Sequence, residues 1–96
     1  MIRIDFIGVV EMGGVESDPL TVTLSATSAT GQGGGTGSFD VPARFVGTVF
    51  APGRSARLHL HDGQVIEMAV TSFDPWRGRA RVEVPGPLPM AQARRA

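Results

Sequence analysis

The stretch Ala56-Arg57-Leu58-His59-Leu60-His61-Asp62-Gly63-Gln64-Val65-Ile66-Glu67-Met68-Ala69-Val70 decides the fold. Ala56, Leu58 and Leu60 alternate with polar residues before the Asp-Gly pair, and Ile66, Met68 and Val70 alternate after it. A period of two belongs to strands with one buried face, so two strands meet here at a tight turn. A two-residue Asp62-Gly63 loop would pair Leu58 with Glu67 and mix the faces. A three-residue loop, His61-Asp62-Gly63, instead pairs Leu60 with Gln64, Leu58 with Ile66 and Ala56 with Met68, which puts every apolar side chain on one side. Gly63 then takes the left-handed position of a type I turn with a G1 bulge. The same register sets Arg57 opposite Glu67 as an ion pair on the outer face.

The period continues in both directions. Ile2, Ile4 and Phe6 alternate with Arg3 and Asp5 up to Gly8, where a bulge or a change of facing is expected. Leu20, Val22, Leu24 and Ala26 alternate with Thr21, Thr23 and Ser25. Gly13-Gly14 and Asp18-Pro19 mark turns between these strands. A further strand is expected near Ala43–Phe50, before the Ala51-Pro52-Gly53 turn, and another over Arg79–Val84 after the Asp74-Pro75-Trp76-Arg77-Gly78 turn. Residues 25–38 are Ser, Ala, Thr and Gly apart from Gln32, which predicts a flexible loop or long hairpin tip. Pro85, Pro87 and Pro89 end the last ladder, and 86–96 is expected to be an extended tail or docking peptide, with Met90–Ala96 long enough for one or two helical turns. The expectation is therefore an all-β domain over 1–85, a five- to six-stranded antiparallel barrel or compact sandwich of the SH3-like or OB-like kind.

Composition excludes much chemistry. The 96 residues contain no Cys, no Lys and no Tyr. Disulfides, thiolate nucleophiles, Cys-ligated metals, the P-loop lysine and Schiff-base amines are all ruled out. Nine Arg balance nine Asp and Glu, so no net field draws the chain to nucleic acid or to an anionic membrane. The N-terminal Met-Ile-Arg-Ile-Asp-Phe carries a charge at every second position and is not read as a signal peptide, and no apolar run reaches the roughly 20 residues of a membrane span. The expected setting is the cytoplasm or a particle assembled there, with no membrane partner.

Three groups of residues are candidates for a site. His59, His61 and Asp62 are weak metal candidates: they resemble the start of the His-x-His-x-Asp-His pattern of the metallo-β-lactamases, but Gly63 and Gln64 stand where that pattern has Asp and His. The run from Gly31 to Gly37 matches neither Gly-x-Gly-x-x-Gly nor a P-loop. The third group is Trp76 with Arg77, Arg79 and Arg81, whose alternation aligns three guanidinium groups on one strand face beside the only Trp. Planar cations and an aromatic ring serve equally as protein interface anchors and as a surface for phosphates and stacked bases. The bland alternative is a solvated face paired with Glu67 and Glu83.

Val70-Thr71-Ser72-Phe73-Asp74-Pro75-Trp76-Arg77-Gly78-Arg79 resembles the last hairpin of bacterial translation initiation factor 1, with an aromatic-Asp and basic-Gly-Arg turn. That resemblance implies an OB fold. It covers about a tenth of the chain, and the neutral charge departs from the basic character of that family. With no catalytic group singled out, the leading expectation is a non-enzymatic structural subunit. It would be held in a homo- or hetero-oligomeric particle by loop, edge-strand and tail contacts, and its length and texture resemble those of phage connectors and decoration proteins. The alternative is a nucleic-acid-binding module using the Trp and Arg strand, and a hydrolase built on His59 and His61 comes third. No cofactor and no small-molecule substrate are expected.

Overall fold

The computed structural model describes residues 2–28, 32–46, 53–88 and 94–95. Its strands are β1 (Ile2–Met12), β2 (Val15–Glu16), β3 (Leu20–Ala26), β4 (Gly35–Asp40), β5 (Ser55–Leu60), β6 (Val65–Asp74), β7 (Arg79–Val84) and β8 (Arg94–Arg95). Six of them close an antiparallel barrel in the order β1-β3-β4-β7-β6-β5, with β5 pairing back onto β1. β2 extends the ladder on one side of β1, and β8 pairs with Ile4 and Asp5 on the other. Three hairpin-linked strands followed by one that returns beside the first is a Greek-key connection. Six strands and full closure separate this barrel from the five-stranded, partly open OB barrel implied by the initiation-factor hairpin. Among the described residues, no helix is long and apolar enough to cross a membrane.

The decisive hairpin forms as its register requires. Ala56 pairs with Met68, Arg57 with Glu67 and Leu58 with Ile66. The Leu60 N–H donates to the Gln64 carbonyl at 2.8 Å, and Gly63 has φ 92°, a conformation that costs other residues steric strain. The core draws on every barrel strand, with Ile4, Phe6 and Val10 of β1, Val22 and Leu24 of β3, Phe39 of β4, and Leu58, Met68 and Val82 of the last three strands all buried.

β1 departs from expectation at Gly8. Its even-numbered residues from Ile4 to Met12 all stay buried, so the facing does not change there. What changes is the partner: Ile2–Gly8 pair with β3, and Gly8–Glu11 pair with β5. On the β3 side, the ladder is completed by Ser17, whose Oγ accepts the Val10 N–H at 2.9 Å while its own N–H donates to the Val10 carbonyl.

The Gly-rich stretch is strand at both of its ends. Ser25 and Ala26 end β3, and 35–38 belong to β4, central in the sheet between β3 and β7. Gly35 and Gly37 face inward in register with Ala26 and Leu24. A methyl group on Gly37 would lie 1.9 Å from the Thr23 carbonyl oxygen, so glycine is needed for the backbones to approach where the barrel coils. The hairpin alternative holds, with β3 and β4 as its arms, and at 35–38 low complexity marks a tight corner of the barrel. The connection between the strands shrinks to 27–34, of which 29–31 lie outside the described residues.

The strand expected over Ala43–Phe50 is not one where it is described. Residues 43–46 form a turn, with Phe45 N–H on the Pro42 carbonyl at 2.9 Å and the Phe45 ring buried in the core, and 47–50 lie outside the described residues. Arg44 pairs with Asp18 at 3.1 Å and fastens this turn to the β2–β3 connection. In the tail, Leu88 is buried in the core, and Arg94–Arg95 are extended rather than helical.

Candidate functional site

β6 and β7 present the Arg and Trp residues singled out in the sequence. Arg79 and Arg81 alternate outward on β7 with buried Ala80 and Val82, while Arg77 sits in the preceding turn rather than on the strand. All three nevertheless line one open groove of about 500 Å³, together with Arg3 of β1. Register explains the convergence. Arg81 stands beside Ser38, which stands beside Thr23, and Arg3 stands beside Ser25, which stands beside Thr36. Where β3 and β4 line the groove they present the short hydroxyl side chains of Thr23, Ser25, Thr36 and Ser38, and four guanidinium groups overlook this low polar floor.

The expected pair of Arg57 with Glu67 forms, and the stripe arginines take other partners. Glu67 pairs with Arg57 at 3.7 Å, while Arg79 meets Asp40 at 3.1 Å and Arg77 meets Asp74 at 3.8 Å. Among the described residues, Arg3 and Arg81 have no carboxylate within ion-pair distance. Asp5 stands close by, accepting a 2.8 Å hydrogen bond from Thr23. Acids interleave with the arginines, so the face is a mosaic of both signs rather than a uniformly positive track.

Trp76 lies at the tip of the β6–β7 turn with 95% of its surface exposed. The turn that carries it is firmly built. Asp74 Oδ1 accepts the backbone N–H groups of Trp76 at 3.0 Å and of Arg77 at 3.3 Å. Pro75 restricts the backbone, Gly78 takes φ 65°, and the Gly78 carbonyl accepts the Val41 N–H at 2.8 Å. A large aromatic ring is therefore held in water on a preorganised support.

The histidine group does not converge. His59 Nε2 lies 2.8 Å from Glu11 Oε1 across the β1–β5 seam, leaving His59 half-buried rather than solvent-facing. His61 and Asp62 sit in the exposed hairpin turn, where Asp62 Oδ1 accepts the Gln64 N–H at 3.0 Å. Among the described residues, no group of three or more His, Cys, Asp or Glu could hold a metal. Glu11 was not singled out beforehand because its partnership with His59 depends on barrel closure, 48 residues apart. Arg3 was missed because its place beside the groove depends on the strand order β1-β3-β4-β7, although its outward position in the Ile2–Phe6 alternation was readable.

Comparison of the chain with family models, with curated proteins and with solved structures found no match.

Proposed function

We propose that this barrel is a non-enzymatic assembly subunit that works by protein contact, with the Trp76 turn as its anchor. The observation that carries the reading is a Trp exposed over 95% of its surface on a turn pinned by two hydrogen bonds to Asp74. Trp and Arg dominate binding energy at protein interfaces, and an anchor held in place before contact loses little conformational freedom on binding. The mosaic of Arg79 with Asp40 and Arg77 with Asp74 suits a specific partner surface with charges of both signs. A phage-like particle was suggested by length and texture alone, and the barrel adds nothing to that choice. The test is purification of the tagged chain from its own cells alongside Trp76→Ala. The reading expects a stoichiometric protein complex that Trp76→Ala loses, whereas complexes of equal yield from both chains contradict it.

The second reading is a nucleic-acid-binding module, favoured by the four-arginine groove and the nearby indole. It expects a labelled single-stranded oligonucleotide to bind at low salt, to weaken steeply toward physiological salt, and to be lost by an Arg77/Arg79/Arg81→Ala triple variant. Absence of binding at low salt removes it.

A further inference from the structure

Trp76 has a candidate receptor on the same chain. Among the described residues, the large apolar side chains left exposed are Ile7, Val46, Val65 and Trp76. Ile7 lies on β1 at the β1–β5 seam, and Val65 lies one strand further, on β6. Val9 pairs with His59 and His59 pairs with Val65, so three side chains form one outward row across β1, β5 and β6. Ile7, 58% exposed, lies two residues from Val9 on the same face. Ile7, Val9, Pro19, His59 and His61 line a groove of about 450 Å³, with Asp5 at its rim. That volume is within the range of pockets that enclose small organic ligands and exceeds what one indole requires.

The chain's own anchor does not fill this groove, since Trp76 stays 95% exposed within one molecule. Their charges complement each other. Arg77 follows Trp76, while Asp5 lines the groove and Glu11 stands next to it, hydrogen-bonded to the lining residue His59.

Resting on the assembly reading, we propose that the partner is a second copy of this chain, whose Trp76 docks into the Ile7–Val9–Pro19 groove with Arg77 directed at Asp5 and Glu11. Anchor and receptor lie on different surfaces, so the contact is heterologous. Repeated head to tail, it builds a ring or a filament rather than a closed two-fold dimer. Each copy then keeps one free Trp76 and one free groove until the ring closes.

Complementation tests this directly, using the full chain and size-exclusion chromatography with light scattering. Wild type should form species larger than a dimer as concentration rises. Trp76→Ala and Ile7→Glu should each weaken self-association by about 30-fold or more, the loss expected at a binding hot spot. An equimolar mixture of the two variants should give a one-to-one dimer and nothing larger, because one intact anchor and one intact groove remain. Circular dichroism checks that both variants are folded, and Val9→Glu, on the same groove lining, replaces Ile7→Glu if that variant is not. A wild type that remains a monomer overturns the inference, as does a variant mixture that fails to pair. If such a monomeric wild type still holds a different subunit that Trp76→Ala loses, the assembly reading survives. If wild type and Trp76→Ala associate equally, both are overturned.

Discussion

Gly37 faces the barrel interior between Leu24 and Val82, and its lack of a side chain is what allows β3 and β4 to approach. Gly37→Ala forces the Thr23 backbone aside and should destabilise the barrel by about 1–3 kcal/mol in urea unfolding, within the range of overpacking. Gly14, with nothing within 4 Å of an added methyl but φ 82°, provides the contrast: Gly14→Ala should cost only the left-handed strain, about 1 kcal/mol. Ser17 is the one buried polar side chain among the described residues. Ser17→Ala strands the Val10 N–H without its acceptor and should cost about 1–3 kcal/mol in the same measurement. Arg81 and Trp76 could be singled out in advance because residue type and alternation were sufficient. Ser17 could not, since nothing local distinguishes a serine that completes a ladder from one in a loop.

At the scale of elements, legibility followed the range of the interactions. The β5–β6 hairpin was readable to the register because a short turn and two alternating strands constrain one another. Its outer-face pair, Arg57 with Glu67, joins two largely exposed side chains. A double-mutant cycle should give a coupling below about 1 kcal/mol. β4 was hidden because composition resembling a flexible linker also describes a strand at a barrel corner, and only its neighbours β3 and β7 distinguish the two. The turn over 43–46 was hidden likewise, since Phe45 reads as a strand residue until the core has a position for it. The β6–β7 turn is the element on which function is proposed to depend. Asp74→Ala removes the acceptor of the Trp76 and Arg77 N–H groups, leaving the indole less ordered before contact. Self-association should weaken about tenfold in a light-scattering concentration series, with the core-determined fold retained by circular dichroism.

The whole molecule is an antiparallel sheet closed by the pairing of Gly8–Glu11 with Arg57–Leu60. Closure places Ile7 and Val9 beside His59, while the order β1-β3-β4-β7 brings Arg3 to the groove of Arg77, Arg79 and Arg81, and Trp76 follows the far end of β6. These juxtapositions depend on strand order, which periodicity does not encode, so the anchor was legible in the sequence and its receptor was not. Trp76 is the chain's only tryptophan and thus reports its own surroundings. The most direct test of the account is the emission maximum of wild-type protein over a concentration series, read against mass by light scattering. The account predicts a fully hydrated indole in the dilute monomer and a blue shift that rises in step with mass as Trp76 is buried. Growth in mass with the emission unchanged would contradict it, because the subunits would then be joining without the residue on which the contact is proposed to rest.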